Sequence, residues 1–354
     1  MDTVRVGVVG CGYWGPNHIR NFSALRSEGA EMAMAADFDA GRRSRISELY
    51  PSVEVVDDGY HIIDNPDIDA VIIATPPSTH HALALRALNN GKHVLVEKPY
   101  VLDVSQAHEL SAAADAADLT LAVGHIFEYS AAVNAIREVI ASGELGNVLY
   151  VRSLRVNLGL FQKDINVLWD LAPHDVSILR YVLGRTPTAV HAVGKAQVNP
   201  GIEDVVNLTL EFGDLMATVI VSWLDPRKTR EMTFVGDRKM LVYDDLSPSE
   251  KIKIYDKGVE VPRHYESFGE FQYSYRHGDT VAPAIDEYEP MREQCRHFLE
   301  SIRYGKQPRA GAEAALDVTR VLVAAQLSLA NHGERIDLTD PAIDSGSPGV
   351  RHAT

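Results

Sequence analysis

A short glycine-rich segment near the N-terminus limits the fold of this 354-residue chain more than any other feature. It follows a β-branched apolar run at residues 4–9 and precedes a helix predicted for residues 17–26; it reads Gly10-Cys11-Gly12-Tyr13-Trp14-Gly15. In such a turn the first glycine allows the tight bend, the second lets a pyrophosphate approach the backbone, and the third lets helix and strand pack closely. The order therefore predicts a dinucleotide-binding domain, with the three glycines, Tyr13 and Trp14 beside the cofactor.

An acidic residue follows the predicted second strand, residues 32–36, at the interval that such a domain requires. This residue is Asp37, whose carboxylate can accept both ribose hydroxyls of NAD and would repel the 2′-phosphate of NADP. NAD is therefore the expected cofactor, and NADP is less favoured. We expect Asp39 to cap or turn the chain. Three basic residues are expected to form the solvated face of the next helix: Arg42, Arg43 and Arg45.

Further strand-and-helix steps continue this pattern. Residues 70–74 form a continuous apolar run, which is typical of a strand buried on both faces. Thr75 and Pro76 follow it and should lie near the nicotinamide ribose. His80 begins the next predicted helix. Two interpretations apply to it: a contact with the cofactor, or an exposed position in the first turn.

The next strand ends in charged residues. Lys92-His93-Val94-Leu95-Val96 runs directly into Glu97-Lys98-Pro99. Because ligands of doubly wound parallel sheets bind at the carboxyl ends of the strands, Lys98 is directed toward the cofactor site. Glu97 is counted with the cofactor-binding residues, in a structural role. A helix at 103–117 and a strand at 119–123 complete the predicted sheet of a first domain, residues 1–124.

The pattern changes after residue 148, where strands follow one another through hairpin-like turns. This indicates a large, mostly antiparallel sheet and thus a second domain of α+β type at residues 125–338. The late helices, at 288–304 and 312–332, are free to pack on the first domain. A polar tail rich in Gly, Ser and Pro, residues 339–354, is expected to be flexible. The predicted strands are 148–158, 190–198, 205–212, 217–223, 231–235, 239–243 and 251–255.

One helix, predicted for residues 170–183, interrupts these strands and places Asp170 and His174 on one face, four residues apart. A histidine near neutrality is a natural general base for a carbinol proton, and a neighbouring carboxylate can orient its ring. In the alternative interpretation Asp170 caps the helix, Pro173 lies in the first turn and His174 is a core histidine. No third ligand has suitable spacing, so we expect no metal site.

Composition narrows the class of protein. With 45% hydrophobic and 23% charged residues, the chain has the composition of a soluble globular protein. It contains no apolar run of membrane-spanning length and no signal-peptide pattern, which predicts a cytoplasmic protein with no membrane partner. Cys11 and Cys295 form no disulfide framework. A net charge of -15 argues against binding to nucleic acid and favours a cationic substrate, although local charges could bind an anionic one.

Together these motifs resemble those of the Gfo/Idh/MocA oxidoreductase family. The resemblance implies an α/β protein in which a Rossmann domain, a doubly wound parallel sheet, precedes an α+β domain with an open sheet. It implies a homodimer or homotetramer formed through that sheet, catalytic roles for Lys98, Asp170 and His174, and a cis Lys98-Pro99 bond. The motifs are Gly10-x-Gly12-x-x-Gly15, Asp37, Thr75-Pro76 with His80, Gly91-Lys92-His93-Val94 leading into Glu97-Lys98-Pro99, and Asp170-x-x-x-His174.

The resemblance also implies a reaction, the transfer of hydride between a sugar or cyclitol carbinol and nicotinamide. His174 would take the hydroxyl proton and Lys98 would stabilise charge on the substrate oxygen. Asp170 would orient His174 or share in a proton relay.

At subgroup level, residues 155–159, 169–175 and 275–279 with Glu289-Pro290 resemble enzymes that oxidise nucleotide-linked sugars, often at C3 of a UDP-N-acetylhexosamine. The alternatives are inositols, free or phosphorylated sugars, and aminosugars of antibiotic biosynthesis. A catalytically silent NAD-binding sensor is the alternative from another class. The candidate substrate residues are Lys98, Tyr129, Arg155, Asn157, Lys163, Asn166, Asp170 and His174.

Overall fold

The computed structural model describes residues 3–260 and 274–344, which form two compact units. The first unit comprises residues 3–130, 288–323 and 340–344. The second comprises residues 131–260, 274–287 and 324–339.

The strands and helices of the described chain have the following bounds. The strands are β1 (Val4–Val9), β2 (Ala30–Ala36), β3 (Glu54–Val56), β4 (Ala70–Ile73), β5 (His93–Val96), β6 (Leu121–Val123), β7 (Val148–Leu158), β8 (Ala189–Lys195), β9 (Val205–Phe212), β10 (Leu215–Ser222), β11 (Leu224–Gly236), β12 (Met240–Asp244), β13 (Ile252–Glu260), β14 (Ser274–Val281) and β15 (Ile336–Asp337). The helices are α1 (Gly15–Ala24), α2 (Ala40–Leu49), α3 (Tyr60–Ile63), α4 (His80–Asn89), α5 (Val104–Ala116), α6 (Ala131–Ala141), α7 (Val167–Leu183), α8 (Pro290–Tyr304), α9 (Ala312–Ala330) and α10 (Pro341–Asp344).

The first unit contains a parallel sheet with the strand order β3-β2-β1-β4-β5-β6. β4 is apolar and fully buried, as expected for a strand covered on both faces. Because the strand order reverses between β1 and β4, the carboxyl ends of these two strands form the crevice in which doubly wound sheets bind ligands. The predicted Rossmann sheet is confirmed.

The second unit contains a sheet with the order β14-β13-β12-β11-β7-β10-β9-β8-β15. Neighbouring strands in it are antiparallel except β7 and β10, which pair in parallel with Tyr150 opposite Met216. α7 packs on β7, β9 and β10. The prediction of a large, mostly antiparallel sheet is confirmed.

The two units differ in range from the predicted domains. α8 belongs to the first unit because it packs on α1, where the rings of Phe22 and Phe298 meet edge to face at 6.5 Å. Residues 125–130 also belong to the first unit, and the division near the C-terminus falls inside α9.

Several local predictions differ from the structure. β14 was not predicted, because its polar sequence lacks the alternation of a half-buried strand. The segment predicted as a flexible tail includes α10, whose Ile343 is 1% exposed; residues 345–354 of that prediction lie outside the described residues. Across residues 3–260 and 274–344, each helix is too short or too polar to cross a membrane.

Candidate active site

The glycine turn after β1 has the geometry that a dinucleotide requires. Gly10 has φ +96°, and a Cβ there would lie 2.6 Å from the carbonyl oxygen of Ala74. A Cβ on Gly15 would lie 1.9 Å from the oxygen of Gly10, so α1 packs on the turn only without a side chain there. At Gly12 a Cβ would meet only Arg42 Nη1, at 3.7 Å. Gly12 is thus a glycine that the protein's own packing does not require, as expected where a pyrophosphate approaches the backbone.

Asp37 lies beside this turn at the end of β2. Its carboxylate is 8% exposed and accepts hydrogen bonds at 2.8 Å from the main-chain N–H groups of Cys11 and Asp39. Arg42 Nη1 lies 3.4 Å from Asp37 Oδ2, and Arg43 donates to the carbonyl oxygen of Asp37 at 2.8 Å. Arg42 and Arg45 are exposed, as expected for a solvated basic face, whereas Arg43 is half-buried by its main-chain contacts. Asp39 caps α2 as predicted, by accepting a hydrogen bond from the N–H of Arg42.

Cys11 is a buried residue of the same turn. Burial, reinforced by the Asp37 carboxylate, raises the pKa of its thiol to about 12. The side chain therefore stays neutral at physiological pH and acts as a small packing residue.

Thr75, Pro76 and His80 form the connection between β4 and α4. Thr75 Oγ1 lies 2.7 Å from Thr79 Oγ1, and Thr79 donates to the oxygen of Pro76 at 2.7 Å. His80 is fully buried, with ring nitrogens 2.9 Å from the carbonyl oxygens of Thr75 and Pro99. Of its two predicted positions, the exposed one is wrong, because the ring is buried between main-chain carbonyl groups of two neighbouring connections.

Glu97, Lys98 and Pro99 follow β5, as predicted, and the Lys98-Pro99 peptide bond is cis. Glu97 is buried; its Oε1 lies 2.7 Å from His18 Nε2, and its Oε2 accepts from the main-chain N–H of Lys98 at 3.2 Å. Glu97 thus holds the main chain at Lys98, which supports the structural role that was predicted for it.

In the second unit, α7 begins at Val167 because Asn166 caps it. The Asn166 side chain accepts from the N–H of Trp169 at 3.3 Å and donates to Glu203 Oε2 at 2.7 Å. The interpretation in which Asp170 is the cap and Pro173 lies in the first turn is therefore wrong. Pro173 lies inside the helix, and Asp170 occupies the first turn.

Asp170 and His174 lie one helical turn apart on α7, as predicted. Asp170 Oδ2 accepts a hydrogen bond of 3.0 Å from the indole nitrogen of Trp223. His174 is 9% exposed. A carboxylate held by a buried indole and a mostly buried imidazole can together accept and stabilise one proton.

Comparisons with known proteins decide the family. Residues 4–125 match the oxidoreductase family with an NAD-binding Rossmann fold, and residues 133–242 match the GFO/IDH/MocA C-terminal domain. The chain belongs to the GFO/IDH/MocA oxidoreductase family. As a member it is an oxidoreductase with an NAD-binding Rossmann domain.

Three relatives illustrate the family. Inositol 2-dehydrogenase 2 of Paenarthrobacter aurescens is 31% identical over 63% of this chain and 69% of its own length. UDP-N-acetylglucosamine 3-dehydrogenase of Acidithiobacillus ferrooxidans is 32% identical over 56% of this chain and 60% of its own length. The crystal structure of GenD2 from gentamicin A biosynthesis, in complex with NAD, has the same fold: the TM-score is 0.79 at 23% identity over 96% of this chain and 97% of GenD2.

Within this family member, the turn residues differ in exposure. Tyr13 is 79% exposed and meets the ring of Trp14 edge to face at 5.1 Å. Phe38, which follows Asp37, is 84% exposed. These exposed rings lie next to residues that fit the adenosine half of NAD. Phe38 belongs to no motif of the sequence and was not predicted.

Three of the predicted substrate residues have other contacts. Arg155 is buried and donates to Asp175 Oδ2 at 2.6 Å, and Ser153 donates to Asp175 Oδ1 at 2.7 Å. Burial opposes the charge on Arg155, but the Asp175 carboxylate outweighs it, so the pKa of Arg155 lies above its usual value. Asn166 is the buried helix cap described above, and the Tyr129 hydroxyl accepts from the N–H of Ala310 at 3.4 Å.

Two further predicted substrate residues are accessible. Asn157 is half-buried at the end of β7, and Lys163 is exposed in the connection to α7. Two functional candidates that contact the predicted site residues were missed: His18 and Trp223. Their contact partners lie on other segments of the chain, so no local pattern identified them.

Proposed function

We propose that this chain is an NAD-dependent dehydrogenase that transfers hydride between a secondary hydroxyl of a sugar and nicotinamide. C3 of a nucleotide-linked sugar is the first candidate position. The observation that carries this proposal is Lys98, whose main chain is held by Glu97 at the carboxyl end of β5, in the same unit as the glycine turn. An ammonium at this edge of the sheet is suited to stabilise charge that develops on a substrate oxygen.

The cofactor fits the first unit. Gly12 and the N-terminus of α1 would hold the pyrophosphate, Asp37 would accept the ribose hydroxyls, and Thr75 would lie near the nicotinamide ribose. Bound NAD supplies the acceptor for hydride. The chain's own residues have to bind the alcohol, orient it and remove its proton.

His174 takes the proton of the substrate hydroxyl as the C–H bond of the carbon that bears this hydroxyl breaks, so that the alcohol becomes a ketone. Lys98 donates a hydrogen bond to the substrate oxygen throughout this step and lowers the energy of its developing negative charge. Asp170, fixed by Trp223, orients His174 and stabilises its protonated ring. In the opposite direction the same groups return the proton to the ketone.

A substrate panel tests this function. NADH formation is followed with UDP-N-acetylglucosamine, its uronate, myo-inositol, a hexose phosphate and a gentamicin-type aminoglycoside. The acidic net charge of -15 favours the aminoglycoside among the alternatives. Tight NAD binding without reduction by any of these alcohols would favour the silent sensor and contradict the proposal.

The Lys98→Ala variant tests the assignment of the lysine. We expect its kcat to fall by about 100- to 1000-fold, because one donor to the charged oxygen is lost, while NAD still binds. Lys306→Ala removes an exposed lysine of the same unit and serves as the control. Near-normal turnover in Lys98→Ala would exclude the assignment.

The open sheet of the second unit supports assembly of two copies. Tyr150 on β7 pairs with Met216 on β10, and these side chains are 43% and 48% exposed. Val235 pairs with Tyr150 and Met240 pairs with Val235, so the apolar row continues across four strands. Such a row is suited to a homodimer interface.

Solution mass measurements test this interface. Light scattering should give a dimer or tetramer for the natural chain and a smaller species for Met216→Asp. Leu49→Asp alters an exposed leucine of the first unit and should leave the mass unchanged. A monomeric natural chain would contradict the interface.

A further inference from the structure

Two buried histidines bracket Lys98, one through the residue before it and one through the residue after it. His18 on α1 lies 2.7 Å from the Glu97 carboxylate, and His80 on α4 lies 2.9 Å from the carbonyl oxygen of Pro99. Both histidines have no exposed surface. All these residues belong to the first unit.

The first contact forms a chain of buried polar groups. Cys295 Sγ on α8 lies 3.8 Å from Nδ1 of His18, and Nε2 of the same ring faces Glu97. Glu97 in turn accepts from the main-chain N–H of Lys98 at 3.2 Å. Burial raises the pKa of the Cys295 thiol, so the thiol at the start of this series of polar contacts is neutral. The position of the Lys98 main chain is therefore coupled to a ring from another element.

The second contact joins two connections at the carboxyl edge of the sheet. The His80 ring has one nitrogen 2.9 Å from the oxygen of Pro99 and the other 2.9 Å from the oxygen of Thr75. One ring thus lies between Thr75, in the connection after β4, and Pro99, the residue after Lys98. This contact limits the movement of Pro99 relative to β4.

We propose that His18 and His80 are positioning residues that hold the main chain on both sides of Lys98, so that its ammonium meets the substrate oxygen in one geometry. Precise placement matters because a displacement of about 1 Å can lower the rate of a catalysed step by about 100-fold. The inference rests on the proposed function only in giving Lys98 a chemical role.

The two rings present different nitrogens to their partners, which allows a crossed comparison. The amide nitrogen of glutamine reaches the position of Nε2 in histidine, and that of asparagine reaches the position of Nδ1. Glu97 faces Nε2 of His18, whereas Pro99 faces Nδ1 of His80. We therefore expect His18→Gln to be more active than His18→Asn, and His80→Asn to be more active than His80→Gln.

The less active member of each pair should lose about 10- to 100-fold in kcat, with the Kd for NAD changed by less than about threefold. His93→Gln is the control, because His93 lies at the other end of β5 and its Nδ1 accepts from the N–H of Thr120. The same order of activity at both positions, or kcat values equal to that of the natural chain, would overturn the proposal.

A second readout does not need turnover. The rate at which acetic anhydride modifies Lys98 is measured by peptide mass spectrometry across a pH series, with and without NAD. The less active variants should show a shifted pH profile for Lys98, and His93→Gln should not. If the natural chain oxidises no alcohol, the proposed function fails while this comparison still decides the positioning role. Unchanged Lys98 profiles in all four variants would contradict that role.

Discussion

The indole nitrogen of Trp223 donates a hydrogen bond to Oδ2 of Asp170 over 3.0 Å. Trp223 is 1% exposed, and Phe161 meets its ring edge to face at 5.5 Å. A buried indole N–H requires an acceptor, and a carboxylate is a strong one. The contact therefore fixes one oxygen of Asp170.

Replacement of Trp223 by phenylalanine removes this donor and retains part of the packing. Because a hydrogen bond to a charged group contributes about 1.5–3 kcal/mol, we expect kcat/KM to fall by about 10- to 100-fold. Trp169→Phe is the control, since it removes a similar bond, from Nε1 to Gln326 at 3.2 Å, without touching Asp170. Equal losses of kcat/KM in both variants would show that general destabilisation, rather than the bond to Asp170, lowers activity.

Gly12 and Gly15 should respond differently to alanine. Gly15→Ala would place a methyl group 1.9 Å from the Gly10 oxygen, so we expect a loss of at least about 1–3 kcal/mol in the free energy of unfolding. In Gly12→Ala the nearest heavy atom to the new Cβ lies 3.7 Å away, so this variant should keep the melting temperature of the natural chain. Its Kd for NAD should rise by at least about tenfold because the methyl group occupies the pyrophosphate position. Calorimetry and NAD titration measure both effects; normal NAD affinity in Gly12→Ala would contradict the assignment.

Asp37 should set the preference for NAD over NADP. In Asp37→Asn the repulsion of a 2′-phosphate is lost and Arg42, 3.4 Å from Asp37, is freed to bind it. We expect the ratio of kcat/KM for NAD to that for NADP to fall by about 10- to 100-fold. Asp39→Ala removes the neighbouring cap of α2 and should cost about 1 kcal/mol in stability while leaving this ratio unchanged. A constant ratio in Asp37→Asn would assign cofactor choice to other residues.

His80 should make the fold sensitive to mild acid. Burial lowers the pKa of His80, although its contacts with main-chain carbonyls oppose this effect. The unfolded chain takes up a proton near pH 6.5 while the folded chain does so only at lower pH, so stability is lost as the pH falls below about 6.5. The slope for this one group is at most about 1.4 kcal/mol per pH unit.

Urea unfolding of the natural chain and His80→Asn at pH 7.5 and pH 5.5 measures this contribution. The difference in free energy of unfolding between the two proteins should shrink at pH 5.5 by about 1 kcal/mol, because the variant lacks the titrating ring. Other histidines are present in both proteins and cancel in the comparison. A difference that stays constant or grows on acidification would contradict a lowered pKa.

Much of the fold follows from local sequence. Gly10, Gly12 and Gly15 stand between an apolar strand and a helix, and the apolar runs that become β4 and β5 end at Thr75 and Glu97. Residues this close in the chain are constrained by backbone conformation and by the periodic spacing of apolar residues, and both can be read from the sequence. The position of Lys98 after a parallel strand, and of Asp170 and His174 on one helix, could therefore be predicted.

Other features depend on residues that are distant in sequence. His18 meets Glu97 across 79 positions and Trp223 meets Asp170 across 53, and both contacts depend on which helix or strand packs where. The parallel pairing of β7 with β10 also joins segments that are distant in sequence.

The sequence by itself determined that the nucleotide domain is a doubly wound parallel sheet opened by a glycine turn. It also placed Lys98 after one of the strands, and Asp170 and His174 on one helix. Only the tertiary structure decided that Arg155 turns inward to Asp175, that Asn166 caps α7, and that buried histidines contact both neighbours of Lys98. The physical reason is that buried polar groups must find partners wherever packing brings them, and packing joins segments whose separation along the chain carries no signal.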